Sequence, residues 1–181
     1  MERLDRFAAA LIRSGIHINL CLIMGGDVEG IGATKREQKA LQFFDPAIMS
    51  AHERFVRALL THRNPHTGRT WGEESAIALV ELYNEGDIFY MRPHLKQASA
   101  ELRAPLDAKW RAWLQRENLD FGPEAAAAFD VAAMDAKEEE RQALRAAGLR
   151  FLAELHEARY EEMRRIVRDC GYAGAICHNA G

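Results

Sequence analysis

The chain has 181 residues, nearly half of them apolar, and a formal net charge of −3, which bounds it as one ordinary domain, residues 1–181, with a sizeable core. The charges are mixed in sign, leaving no broad basic footprint for nucleic acid, and no apolar run reaches the ~18–20 residues of a membrane span. Cys21, Cys170 and Cys177 are odd in number and scattered, which predicts buried thiols rather than a disulfide framework. The apolar stretch 16–24 is short and follows a charged helix, unlike a signal peptide. A cytoplasmic location is therefore the default, and a secreted parent protein would change it.

In chain order, Leu4, Phe7, Ala8, Leu11 and Ile12 recur at helical spacing, and Gly15 follows as a stop signal. Residues 16–23 are apolar on both faces apart from His17 and Asn19, as expected of a parallel strand covered on both sides. From Gly25 through Lys39 the glycines and polar residues predict a long loop. Asp45-Pro46 opens a helix, with Asp as cap and Pro at the first helical position, and Ile48, Phe55, Leu59 and Leu60 supply its apolar face. Asn64-Pro65-His66-Thr67-Gly68 is a turn cluster. Residues 76–83 read as a second buried strand, so strand, helix and strand suggest a βαβ unit and a parallel sheet. A helix is expected from Pro105 to Leu119, ended by Gly122-Pro123. A long charged helix from about Ala136 to Cys170 is expected to break near Gly148, because its length exceeds the norm. A third strand is expected at 173–177.

The most informative segment is Val80-Glu81-Leu82-Tyr83-Asn84-Glu85-Gly86-Asp87-Ile88-Phe89. It begins as a strand and ends in an amide beside a carboxyl group. Alternation puts Ile77, Leu79, Glu81, Tyr83 and Glu85 on one face, with Glu81 ~13 Å deeper than Glu85 at ~3.3 Å per residue. In a (β/α)8 barrel, residues at the carboxyl end of a strand face the active-site mouth. A carboxyl group there suits proton donation to a glycosidic oxygen. That chemistry needs a second carboxylate, and no convincing one follows.

The Asn84-Glu85 string resembles the acid/base strand of retaining β-glycosidases of the cellulase-like superfamily, particularly family-5-like glycoside hydrolases. Three further segments are similar in order. Residues 15–20 resemble the preceding strand. Phe44-Asp45-Pro46 with 59–68 resembles the following helix and turn, and Phe151-Leu152 through Tyr160-Glu161-Glu162-Met163 resembles the helix before strand five. The resemblance implies that Glu85 is general acid and then general base, that Asn84 binds the sugar 2-hydroxyl, and that the nucleophile lies on a seventh strand outside this chain. The sequence departs from many relatives at Ile23-Met24, where they carry a histidine, and at Gly86-Asp87, where an amide is common.

Further candidates surround this segment. His178 follows the third strand and can line the pocket. Trp71, Phe89 and Tyr90 flank the expected mouth, where rings stack on sugars or simply pack; Trp71 joins Asn84 and His178 as a substrate-binding candidate. His62 and His66 are four apart, but Pro65 disrupts the helix and no third ligand has metal spacing, so no metal site is expected. Gly25-Gly26 and Gly30 form no phosphate-binding pattern, and no cofactor is expected. The charge run Lys137 to Arg141 reads as a solvated helix face.

The expectation is α/β: a partial (β/α)8 TIM barrel of about three parallel strands with flanking helices, an internal fragment of a glycoside hydrolase. Its partner is a saccharide substrate, with neither nucleic acid nor membrane. Open edges predict self-association and no activity in isolation. The alternatives are a noncatalytic carbohydrate-binding or scaffold protein, and a small open α/β sheet with an unrelated ligand.

Overall fold

The computed structural model describes residues 1–23, 28–135 and 139–179. Gly25-Gly26, the expected helix start at Ala136 with Lys137, Met24, and the terminal Ala180-Gly181 lie outside the described residues. In chain order the elements are α1 (Glu2–Arg13), β1 (Ile18–Ile23), α2 (Lys35–Leu41), α3 (Pro46–Leu60), β2 (Ile77–Tyr83), α4 (Arg92–Gln97), α5 (Ala100–Glu117), α6 (Gly122–Ala127), α7 (Gln142–Asp169) and β3 (Ala175–Cys177). Single 3-10 turns occupy 132–135 and 139–141. The chain divides into two compact units. One comprises residues 1–24, 50–85 and 160–181, and the other 25–49 and 86–159.

The first unit holds the sheet. Its strands are parallel in the order β1-β2-β3, so β2 is central and β1 and β3 are edges. All three strands lie where the apolar runs predict them. Cys21 pairs with Glu81 and Glu81 with Cys177, so these three form one row across the sheet. The two faces differ in burial. On one, Leu22, Val80 and Leu82 are at most 4% exposed. On the other, Asn19 and Ala175 are exposed and Cys21, Leu79, Glu81 and Cys177 are half-buried, until Ile23 and Tyr83 close it at the carboxyl end. β1 and β2 are thus not covered on both sides along their whole length.

At the other end of the strands, the α3–β2 connection is fastened to α1 through one acid. Asp5 is 2% exposed. Its carboxylate accepts the indole N–H of Trp71 and meets Nε2 of His62, each at 3.0 Å, and its carbonyl accepts Asn64 Nδ2–H. Burial raises the pKa of Asp5, but the hydrogen bonds from Trp71 and His62 outweigh it and hold the carboxyl below its ordinary value. Gly72 follows directly. A Cβ there would sit 2.3 Å from the Cys170 carbonyl oxygen, so only glycine lets these two backbones approach.

The second unit is helical, and three of its features depart from expectation. The segment 34–39 is not loop: Thr34 Oγ1 accepts Glu37 N–H while Glu37 Oε2 accepts Thr34 N–H. This reciprocal capping box starts α2. The helix expected from Pro105 begins five residues earlier, where the Ser99 hydroxyl accepts Leu102 N–H, and Pro105 lies inside α5. α7 does not break at Gly148. The missing side chain there leaves room for Met134, whose terminal carbon would lie 2.3 Å from an added Cβ. Burial of Met134, 2% exposed, offsets the ~1 kcal/mol that glycine costs a helix relative to alanine. The core of this unit is aromatic. Trp110 stacks on Trp113 at 5.4 Å and meets Phe129 and Phe151 at 5.3 and 5.2 Å. Both indole N–H groups are satisfied, Trp110 by the Ala125 carbonyl and Trp113 by Glu154.

Candidate functional site

The carboxyl ends of the three strands form a polar rim. Asn84 N–H donates to the Ile23 carbonyl at 3.0 Å, and Asn179 N–H donates to the Tyr83 carbonyl at 3.1 Å. The ladder therefore extends one bond beyond the regular strand on each side of β2. It fixes the backbone of Asn84 and brings the His178-Asn179 segment alongside. Asn84 is half-buried and Glu85 exposed.

Strand alternation does not carry through to Glu85. β2 ends at Tyr83, and Glu85 adopts a left-handed backbone with φ +52°. Its direction is therefore set by the turn and not by the face shared with Glu81 and Tyr83. A left-handed conformation costs a non-glycine residue roughly 1–2 kcal/mol. Asn118, which ends α5, has the same conformation at φ +53°.

Behind the rim stands a column of rings. Tyr83, 1% exposed, meets Tyr160 edge-on at 5.5 Å and 77°, and His52 approaches Tyr83 at 6.1 Å. The His178 imidazole stacks on Tyr160 at 3.9 Å and 22°, with the residue exposed. Asn84, Glu85 and His178 thus share one rim of one unit. Tyr160, which reads in the sequence only as an apolar position of a long helix, is the residue that carries His178. No spacing in the sequence signals that contact.

Trp71 does not belong to this rim. It lies in the α3–β2 connection, on the amino-terminal side of β2, 3% exposed and bonded to Asp5. Burial leaves no face of its indole for a sugar, which corrects its assignment as a substrate contact. Phe89 packs near His156 at 6.2 Å, and Tyr90 is 66% exposed. Asp87 uses its carboxylate to accept Phe89 N–H.

Deeper in the sheet, Cys21, Glu81 and Cys177 form the half-buried row. Burial first, and then the charge of Glu81, pushes both thiols above their ordinary pKa. They stay protonated near neutrality and are poor nucleophiles there. Among the described residues no three His, Cys, Asp or Glu side chains converge as metal ligands, and no helix is long and apolar enough to cross a membrane.

Chemically, the rim offers the exposed carboxyl group of Glu85, the half-buried Asn84 on a hydrogen-bonded backbone and a stacked imidazole. That set can transfer a proton and hold a hydroxylated ring, but a displacement at carbon needs a further nucleophile. Compared with models of protein families, with curated proteins and with solved structures, the chain matches none of them.

Proposed function

We propose that the chain is the section of a retaining β-glycosidase that holds the proton donor. In this reading β1, β2 and β3 are consecutive strands of a (β/α)8 barrel, and Glu85 is the acid/base. Asn84 binds the sugar 2-hydroxyl, and a carboxylate outside residues 1–181 is the nucleophile. One observation carries it: Asn84-Glu85 leaves the carboxyl end of the central strand of a parallel sheet whose other face is half-exposed from Asn19 to Cys177. Parallel sheets are ordinarily covered on both faces. In a closed barrel that face would be the filled interior.

The reaction then runs in two displacements. The outside carboxylate attacks the anomeric carbon and the glycosidic C–O bond breaks. The leaving oxygen takes the proton of Glu85. The resulting Glu85 carboxylate removes a proton from water, whose oxygen displaces the enzyme carboxylate and regenerates the start.

The test uses the 181 residues together with their flanking coding sequence. On an unactivated β-disaccharide, Glu85→Gln should lower kcat about 10²–10⁴-fold, the usual share of general acid–base catalysis. On a 4-nitrophenyl β-glycoside the leaving group needs no proton. The variant should then stall as the glycosyl-enzyme and be rescued by azide. Unchanged kcat on the disaccharide, or no hydrolysis by the parent, would sink the assignment.

A second reading, a noncatalytic saccharide-binding protein, is favoured by the exposed imidazole of His178 stacked on Tyr160. It expects saccharide binding that survives Glu85→Gln and disappears in His178→Ala.

A further inference from the structure

Glu81 lies at the middle of the half-exposed face of the sheet. It is on the central strand, paired in register with Cys21 on β1 and Cys177 on β3, each ~4.8 Å away across the ladder. Asn19, Leu79 and Ala175 form the row before it, and Ile23 and Tyr83 the row after. Neither row carries a cation. The Cys21 thiol hydrogen-bonds to the Glu81 carboxylate, but a thiol is a weak donor. No basic side chain forms an ion pair with Glu81 among the described residues.

Water now solvates this charge, because Glu81 is half-buried and Asn19 and Ala175 beside it are exposed. The opposite face is already dry, with Leu22, Val80 and Leu82 at most 4% exposed. Parallel sheets are ordinarily covered on both faces, and covering the second face would take the carboxylate out of water. A buried carboxylate is tolerated when a cation pairs with it and is expensive when none does. The flanking thiols cannot help, since burial and the charge of Glu81 keep both protonated near neutrality. A compensating charge must therefore arrive with the segment that covers the face.

We propose that this face docks a segment of the parent chain outside residues 1–181, apolar except for one Lys or Arg that pairs with Glu81. The face is largely apolar around one negative charge, so its complement is an apolar surface around one positive charge. The inference rests on the proposed function only in placing further barrel strands over this sheet. It uses neither Glu85 nor hydrolysis, so a parent that turns over no glycoside can still bear it out.

Two measurements test it, each made on the 181-residue chain and on the parent with its flanking coding sequence. Native alkylation with N-ethylmaleimide, mapped by peptide mass, should modify Cys21 and Cys177 in the dilute 181-residue chain and about tenfold more slowly in the parent, where the face must open first. Glu81→Gln should leave the melting temperature of the 181-residue chain unchanged and lower that of the parent by about 5 °C or more, because it strands a buried cation. Glu81→Asp keeps the charge and should lower it less; it carries the comparison if the Gln variant of the parent does not fold. A role in shape or hydrogen bonding alone would reverse that order, since Gln is the closer match in size. Equal thiol rates in the two proteins, a parent indifferent to Glu81→Gln, a larger loss with Asp than with Gln, or a reading frame confined to residues 1–181 would each overturn the proposal.

Discussion

Asp5 shows how much of the first unit depends on one side chain. It joins Trp71, His62 and Asn64 from a single turn of α1, so its loss leaves a buried indole N–H without an acceptor. Asp5→Ala should cost about 1–3 kcal/mol of stability, read as a lower urea midpoint. The sign of the pH dependence follows from the lowered carboxyl pKa. The unfolded chain binds its proton more readily than the folded one. The contribution of Asp5 is therefore complete above its ordinary pKa of 3.8 and is lost as pH falls through the still lower folded value. Between pH 6 and pH 2.5 the wild type should lose more stability than Asp5→Asn at equal chain concentration. Parallel pH profiles would show that the acid has no such role. At the same scale, Glu85 stands apart from its strand by one dihedral angle, which decides where the candidate proton donor is held.

Among elements, the connection before β2 is held more tightly than its loop-like composition suggests. Gly72 lies so close to the Cys170 carbonyl oxygen and the Leu60 carbonyl oxygen that Gly72→Ala must move backbone. A cost of about 1–3 kcal/mol is expected, as for overpacking elsewhere, with a fall in melting temperature as the readout. Alanine at Gly148 would press instead on the flexible end of Met134 and should cost less; the reverse order would contradict the packing described. Both helix starts that differ from expectation have polar caps. Thr34-x-x-Glu37 is a legible capping signature, obscured by the glycines before it. Ser99 was obscured by Pro105, which reads as a first helical position although α5 accommodates it internally.

For the whole molecule, β1 and β3 have no strand paired beyond them among the described residues, one face of the sheet is half-buried, and Phe7 and Phe55 are 62% and 51% exposed. Unpaired edges and exposed apolar groups favour association. Sedimentation of the isolated 181 residues should show concentration-dependent oligomers, and the same sample should not turn over 4-nitrophenyl β-glycosides. A monomer at high concentration, or robust turnover, would count against the incomplete-barrel proposal.

Sequence by itself determined the alternation of strand and helix, the parallel pairing of the strands, and the amide–carboxyl pair just past β2. Apolar runs, caps and turn residues act over a few positions, so their consequences can be read locally. Only tertiary structure decided that Glu85 turns left-handed, that His178 rests on Tyr160, and that Trp71 lies buried on Asp5 at the opposite end. Those outcomes depend on which distant segments become neighbours once the strands pair. No local pattern encodes that choice, because it is made by packing a common core.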